Sequence, residues 1–170
     1  TMERYFTPTD TDTSLTDRIA EGLLVSVRDA AQTAVKEPEN YDARATLMWA
    51  GSLSHNGLTG AGRVSDFATH KIEHELGGMF DVAHGAGLAA IWGSWARYVY
   101  HLDEARFANY GRKVWNIDEE NDEKTAVAAI EKTEEFFRSL HMPTCLGDMK
   151  MGVQPDEVLK EMAGKATAGD

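Results

Sequence analysis

Apolar side chains recur at every third or fourth position along most of the chain, which is the spacing of one face of an α-helix. Between Ser14 and Lys36 the apolar stripe consists of Leu15, Ile19, Leu23, Val27 and Ala30 or Ala31. No segment of strand length alternates apolar and polar residues at every second position. The pattern therefore predicts an all-α fold, a helical bundle of about seven helices.

Cap and turn residues set the predicted helix limits. After the end of a helix at 1–6, helices are predicted at 14–36, 41–56, 66–76, 82–102, 104–115, 122–140 and 155–163. The segment 41–56 is apolar nearly all round, which predicts a central, buried helix. Gly77 and Gly78 are predicted to end the helix that Ser65 or Asp66 caps, and Asp81 is predicted to cap the next one.

Charge and composition exclude several classes of function. The net charge of -11 argues against binding nucleic acid or an anionic membrane surface, because both need clustered Lys and Arg. No run approaches the roughly 20 apolar residues of a membrane span. Cys145 is the single cysteine, so an internal disulfide is impossible, which fits a reducing compartment. We therefore expect a cytoplasmic protein without a nucleic-acid or membrane partner.

Three of the six histidines, His70, His74 and His84, lie within fifteen positions. Imidazole is the commonest metal-binding side chain in proteins. On a helix, His70 and His74 share one face. His84 follows the Gly77-Gly78 pair, so the next helix can fold back and bring its ring to the first two. The spacing therefore predicts a metal or catalytic site in this segment.

The residues alone leave three hypotheses open. His70, Glu73 and His74 fit the His-x-x-Glu-His pattern of a metallopeptidase in which Glu73 is the general base. A second hypothesis pairs His70 with His84 as metal ligands and leaves His74 free. The third is a non-catalytic helical interaction domain whose histidines only pack or hydrogen-bond.

A resemblance to a known family favours the second hypothesis. Three motifs carry it: Gly57-x-x-Gly60-x-Gly62, Asp66-x-Ala68-Thr69-His70-x-x-x-His74-Glu75-Leu76 and Asp81-x-Ala83-His84-Gly85. Further matching segments are Ile19-Ala-Glu-Gly-Leu-Leu, Lys36-Glu-Pro-Glu-Asn-Tyr-Asp-Ala-Arg, Leu47-Met-Trp, Asn56-Gly-Leu, Val114-Trp-Asn-Ile, and Phe136-Phe with Met142-Pro-Thr. With these motifs the chain resembles the iron-containing (group III) alcohol dehydrogenases, most closely the NAD(P)H-dependent butanol dehydrogenases.

The resemblance implies a domain organisation and a ligand set. Members have a Rossmann-like nucleotide domain followed by an all-helical metal domain of the dehydroquinate synthase-like fold, and residues 1–170 resemble the helical domain only. The family metal is held by an Asp and a His four residues apart and by two later histidines, which His70 and His84 match. The earlier pair would fall just before Thr1. We therefore expect a fragment truncated at both ends, without its nucleotide-binding domain.

The resemblance also implies the chemistry. A divalent metal, Fe(2+) or Zn(2+), polarises the oxygen of a small alcohol or aldehyde, and NAD(P)H bound mainly by the absent domain supplies the hydride. His74 matches a family histidine that is not a ligand and lies near the nicotinamide, which makes it the expected catalytic and cofactor-binding residue. We expect the parent enzyme to form a homodimer and the isolated fragment to be inactive.

Overall fold

The computed structural model describes residues 1–168, and within them it contains eight α-helices and no strand. The helices are α1 (Met2–Phe6), α2 (Ser14–Lys36), α3 (Tyr41–His55), α4 (Ala68–Phe80), α5 (His84–Val99), α6 (Glu104–Tyr110), α7 (Asp122–Ser139) and α8 (Asp156–Ala166). The predicted all-α class is confirmed. No helix in this part of the chain combines the length and hydropathy needed to cross a bilayer.

The chain divides into two compact units. The first contains Thr1–Asp66 and Tyr100–Lys132, and the second contains Phe67–Val99 and Thr133–Asp170. The whole histidine segment therefore belongs to the second unit.

An aromatic cluster forms the core of the first unit. The ring of Phe6 stacks on that of Phe107 with centroids 4.2 Å apart, and it meets the edge of Tyr110 at 5.1 Å. Tyr5 is fully buried beside them. The buried face of α6 carries Phe107 and Tyr110, which are 2% and 1% exposed.

A smaller apolar cluster holds the second unit together. Leu76 of α4, Ile91 of α5 and Met162 of α8 are buried against one another. These contacts fix the two helices that carry the histidines. They also explain why α4 is stable, because a short helix depends on burial of its apolar face.

The predicted burial of the segment 41–56 is wrong. Met48 and Trp49 of α3 are 79% and 65% exposed, whereas the buried residues of this helix are Ala43 and Ala50. Apolar residues distributed all around a helix do not indicate which side packs, and α3 packs against α2 with only its small side chains buried. A hollow of about 410 Å³ beside this exposed face is lined entirely by α3 residues.

The predicted apolar stripe of α2 is also partly wrong. Leu15 is 71% exposed, and the buried positions of this helix include Ala20 and Ala30. Helical periodicity locates a helix, but neighbouring elements decide which of its apolar residues lose contact with water.

Gly77 and Gly78 do not end α4, contrary to the prediction. The helix continues through both glycines to Phe80. Each glycine costs a helix only about 1 kcal/mol, and packing against α5 and α8 offsets that cost. The chain reverses instead at Asp81, which has a left-handed backbone with φ 52°.

Several predicted helix limits also change. Helix α4 begins after Phe67, another left-handed residue, rather than after Ser65 or Asp66, and Asp81 ends α4 instead of capping α5. Helix α5 begins at His84, and a 3₁₀ turn at Tyr100–Leu102 follows it. The predicted helix 104–115 is α6 followed by a π-helical turn at Gly111–Trp115.

Candidate metal centre

The connection between α4 and α5 determines which residues meet. Glu73 lies seven positions before the end of α4, or about 10 Å along the helix axis, yet it contacts His84 at the start of α5. Three residues, 81–83, separate the helices, and three extended residues span up to about 10 Å. The chain therefore runs back along α4 after the left-handed Asp81 and places His84 beside the middle of that helix.

This reversal brings three imidazole rings together. The ring centroids are 5.3 Å apart for His70 and His84, 5.8 Å for His74 and His84, and 6.2 Å for His70 and His74. The His74 side and the His84 side of the group are open to solvent, and His70 is half-buried. The three histidines that the sequence singled out thus form one cluster.

The cluster has a donor set and spacing that fit a divalent metal. Two imidazoles that share a tetrahedral ion have centroids about 5 Å apart, given metal–nitrogen distances of about 2.0–2.1 Å. The His70–His84 distance of 5.3 Å is the closest to that value. Imidazole nitrogen suits both iron and zinc.

Glu73 is the buried member of this region. Its carboxylate is 2% exposed, while the side chain of His84 is 55% exposed. Glu73 Oε2 and His84 Nδ1 form a hydrogen bond. An ionised carboxylate can only accept. With Glu73 ionised, the ring donates from Nδ1, and Nε2 is the nitrogen left to bind a metal.

A close approach of two helices makes room for this carboxylate. A Cβ built on Gly87 would lie 2.7 Å from both Cγ and Oε1 of Glu73, a distance that real Cβ atoms essentially never show. The absence of a side chain at position 87 therefore allows Glu73 to lie between α4 and α5.

Two geometric criteria select different ligand sets. Ligand atoms of Glu73, His74 and His84 lie within 4.8 Å of one another, and His70 is outside that group. However, the Glu73–His84 contact in it is a hydrogen bond that uses Nδ1, which has no lone pair free for a metal while it donates. Ring spacing favours His70 with His84, so these two remain the predicted ligands.

The metallopeptidase hypothesis is not supported by the position of Glu73. A general base must reach the water whose proton it removes. Glu73 is buried and already accepts from His84, whereas His74 is exposed. Sequence reasoning considered Glu73 only as that base. Its spacing of eleven residues from His84 carries no helical signal, so its contact with that ring was missed.

The amino-acid sequence matches the model of a known protein family. The model for the C-terminal part of the Fe-containing alcohol dehydrogenase family matches residues 1–169. The chain belongs to the iron-containing alcohol dehydrogenase family. Membership confirms the resemblance drawn from the histidine motifs.

Relatives within this family are similar over most of the chain. The NADPH-dependent aldehyde reductase YqhD of Escherichia coli is 40% identical over 87% of the chain and 38% of its own length. The NADH-dependent butanol dehydrogenase B of Clostridium acetobutylicum is 38% identical over 99% of the chain and 44% of its own length. The chain thus spans about two fifths of the length of these relatives.

Solved structures of the family have the same fold. The crystal structure of Escherichia coli YqhD matches with a TM-score of 0.86 at 37% identity, over 96% of the chain and 43% of that structure. The NADH-dependent butanol dehydrogenase A of Thermotoga maritima matches with a TM-score of 0.87 at 30% identity, over 97% of the chain and 40% of that structure.

Proposed function

We propose that this chain is the metal-binding, C-terminal helical domain of an NAD(P)H-dependent alcohol dehydrogenase or aldehyde reductase acting on small alcohols and aldehydes. The observation that carries the proposal is the distance of 5.3 Å between the ring centroids of His70 and His84, in a chain that belongs to an iron-containing family. Relatives named as an aldehyde reductase and a butanol dehydrogenase support the substrate class.

In this proposal His70 and His84 hold the ion, Fe(2+) or Zn(2+), together with an Asp and a His from the segment that precedes Thr1 in the full-length protein. When bound, the metal supplies Lewis acidity toward the substrate oxygen, and the nicotinamide held by a separate nucleotide-binding domain supplies the hydride. The helical chain alone contains half of the ligand set. We therefore expect weak metal binding and no dehydrogenase activity from it in isolation.

His74 has a different role in the proposal. Its ring is exposed and lies 5.8 Å from His84 and 6.2 Å from His70, beside the predicted ligands. Histidine is the commonest general acid or base in enzymes. We infer that His74 passes a proton to or from the substrate oxygen and contacts the nicotinamide.

Metal-dependent stabilisation of the full-length protein tests the ligand set. A ligand at about 100 times its Kd stabilises a fold by about 2.7 kcal/mol. We expect Zn2+ to raise the unfolding midpoint of the wild type, and His70→Ala and His84→Ala to abolish that rise. His101→Ala, an exposed histidine of the first unit, is the matched control and should retain it.

His74→Ala separates the roles within the cluster. We expect this variant to keep the Zn2+-dependent rise in midpoint, and to lose about 10²–10⁴-fold in kcat for aldehyde reduction, the usual contribution of a proton-transfer group. Loss of metal binding in His74→Ala with retention in His70→Ala would replace His70 by His74 as a ligand. No effect of any histidine on metal binding would support the non-catalytic alternative.

A further inference from the structure

The carboxylate of Glu73 has no role in the ligand set or in the proton transfer proposed above. It is nevertheless 2% exposed and in contact with a ring that is 55% exposed. A buried carboxylate is costly unless hydrogen bonds compensate it. The bond from His84 is therefore the identified contact that compensates the burial of Glu73.

The hydrogen bond determines which nitrogen of His84 is available. Because the acceptor on Nδ1 is a carboxylate, the ring carries its hydrogen there and presents the lone pair of Nε2 on the opposite side. Without such a partner a neutral imidazole interconverts between two tautomers, and the exposed ring also rotates. Outer hydrogen bonds to a ligating histidine typically account for 10–100-fold in metal affinity.

The surroundings fix the carboxylate itself. Glu73 lies on α4 between the backbone of Gly87, where an added Cβ would be 2.7 Å from Oε1, and that of Gly77, where it would be 3.6 Å from the same atom. The buried side chain of Glu73 thus occupies the space that a side chain at position 87 would need. Gly78, in the same helix, has open space around its Cβ position.

We propose that Glu73, confined against Gly87, is a positioning residue that holds His84 with its hydrogen on Nδ1 and its Nε2 directed toward the metal. This inference deepens the proposed function and rests on it for the identity of His84 as a ligand. The hydrogen bond itself does not depend on a metal, so the two can fail separately.

The first test measures the tautomer of His84 in the metal-depleted chain by ¹⁵N NMR of labelled histidine, at the alkaline end of a pH series where the spectrum shows the neutral ring. We expect His84 to carry its hydrogen on Nδ1 in the wild type and to lose that fixed preference in Glu73→Gln. Glu75→Gln, on the same helix, is the matched control. A wild-type His84 with its hydrogen on Nε2 would overturn the proposal.

Gly87→Ala gives the same test without removing the acid. The added methyl group displaces the Glu73 side chain, so we expect the Nδ1 preference to weaken, whereas Gly78→Ala should leave it unchanged. The comparison of Gly87→Ala with Gly78→Ala still tests the proposal if Glu73→Gln does not fold. An unaltered tautomer in a folded Gly87→Ala would show that confinement is not needed and would overturn that part of the proposal.

The second test measures Zn2+ affinity of the full-length protein. We expect Glu73→Gln to weaken binding by about 10–100-fold, with Glu75→Gln at the wild-type value. A changed tautomer with unchanged Kd would overturn the positioning role. A larger loss together with an altered absorption spectrum of the Co2+-loaded variant would make Glu73 a ligand and also overturn it. Wild-type protein that binds no metal would refute the proposed function, and the tautomer would then alone decide whether Glu73 orients His84.

Discussion

Each unit of the molecule contains a buried glutamate whose side chain accepts hydrogen bonds, Glu21 in the first and Glu73 in the second. The partners of these two acids differ in their exposure to solvent. Glu21 of the first unit is 8% exposed and accepts from Tyr5 Oη at 2.9 Å and from Asn109 Nδ2 at 2.6 Å. Glu73 of the second unit is 2% exposed, and its partner His84 is 55% exposed. One acid is bonded inside a core, and the other is bonded to a ring at the surface.

The difference teaches how a buried acid can be interpreted. Tyr5 and Asn109 also bond to each other, at 2.9 Å, so the Glu21 network is closed among interior side chains. Burial raises the pKa of Tyr5 above its ordinary value, which keeps the hydroxyl as a donor. Such a network stabilises the fold. The Glu73 bond ends on a ring with a free nitrogen, and we infer that it prepares a site.

The largest effect is expected from a substitution in the aromatic core of the first unit, where Tyr5 donates to Glu21. Phe6→Ala removes a 4% exposed ring stacked on Phe107, and we expect a loss of about 3–5 kcal/mol in the free energy of unfolding. Urea denaturation followed by circular dichroism measures it. Leu15→Ala, at a 71% exposed position, is the control and should cost less than about 0.5 kcal/mol. Equal losses in the two variants would contradict the aromatic core.

A smaller effect is expected when the buried glutamate of the first unit is replaced by glutamine. Tyr5 Oη and Asn109 Nδ2 both donate to Glu21. Glu21→Gln replaces a carboxylate oxygen by an NH2 group that cannot accept, so we expect a loss of about 1–3 kcal/mol in the free energy of unfolding. The tautomer of His84 and the Zn2+ affinity should stay at their wild-type values. If Glu21→Gln weakened metal binding as much as Glu73→Gln, the distinction between a structural and a positioning glutamate would be lost.

The smallest effect sharpens the comparison within the second unit. Gly78→Ala replaces a glycine inside a regular helix with open space at its Cβ position, so we expect a gain of about 0.4–1 kcal/mol. Gly87→Ala should be destabilising, because its Cβ would meet Glu73. Thermal unfolding of both variants measures the pair. A gain in both would mean that α5 can move away from the carboxylate at no cost.

Helical periodicity was sufficient to predict the all-α class, and the resemblance of the sequence motifs predicted the family. They could not show which side of an apolar helix is covered, because burial depends on neighbours that lie far away in sequence; Trp49 illustrates this. They also assigned the chain reversal to Gly77 and Gly78, since glycine is the commonest helix terminator. Tertiary packing kept those glycines helical.

The candidate site was predictable in its histidines and not in its carboxylate. His70, His74 and His84 are recognisable because their side chains carry metal chemistry wherever they occur. Glu73 follows from the path of the chain between α4 and α5, which places residues eleven positions apart in contact. Gly87 has no reactive side chain, and its role depends on the close packing of α5 against Glu73, which leaves no room for a Cβ at position 87.

Asp81 gives position 81 an influence on the site without any contact with a metal. Its left-handed φ of 52° reverses the chain, and glycine, asparagine and aspartate adopt that conformation at little cost, whereas β-branched residues do not. A substitution at this position therefore acts on the site through a backbone torsion. Asp81→Val would leave every histidine in place and remove the backbone conformation that brings them together.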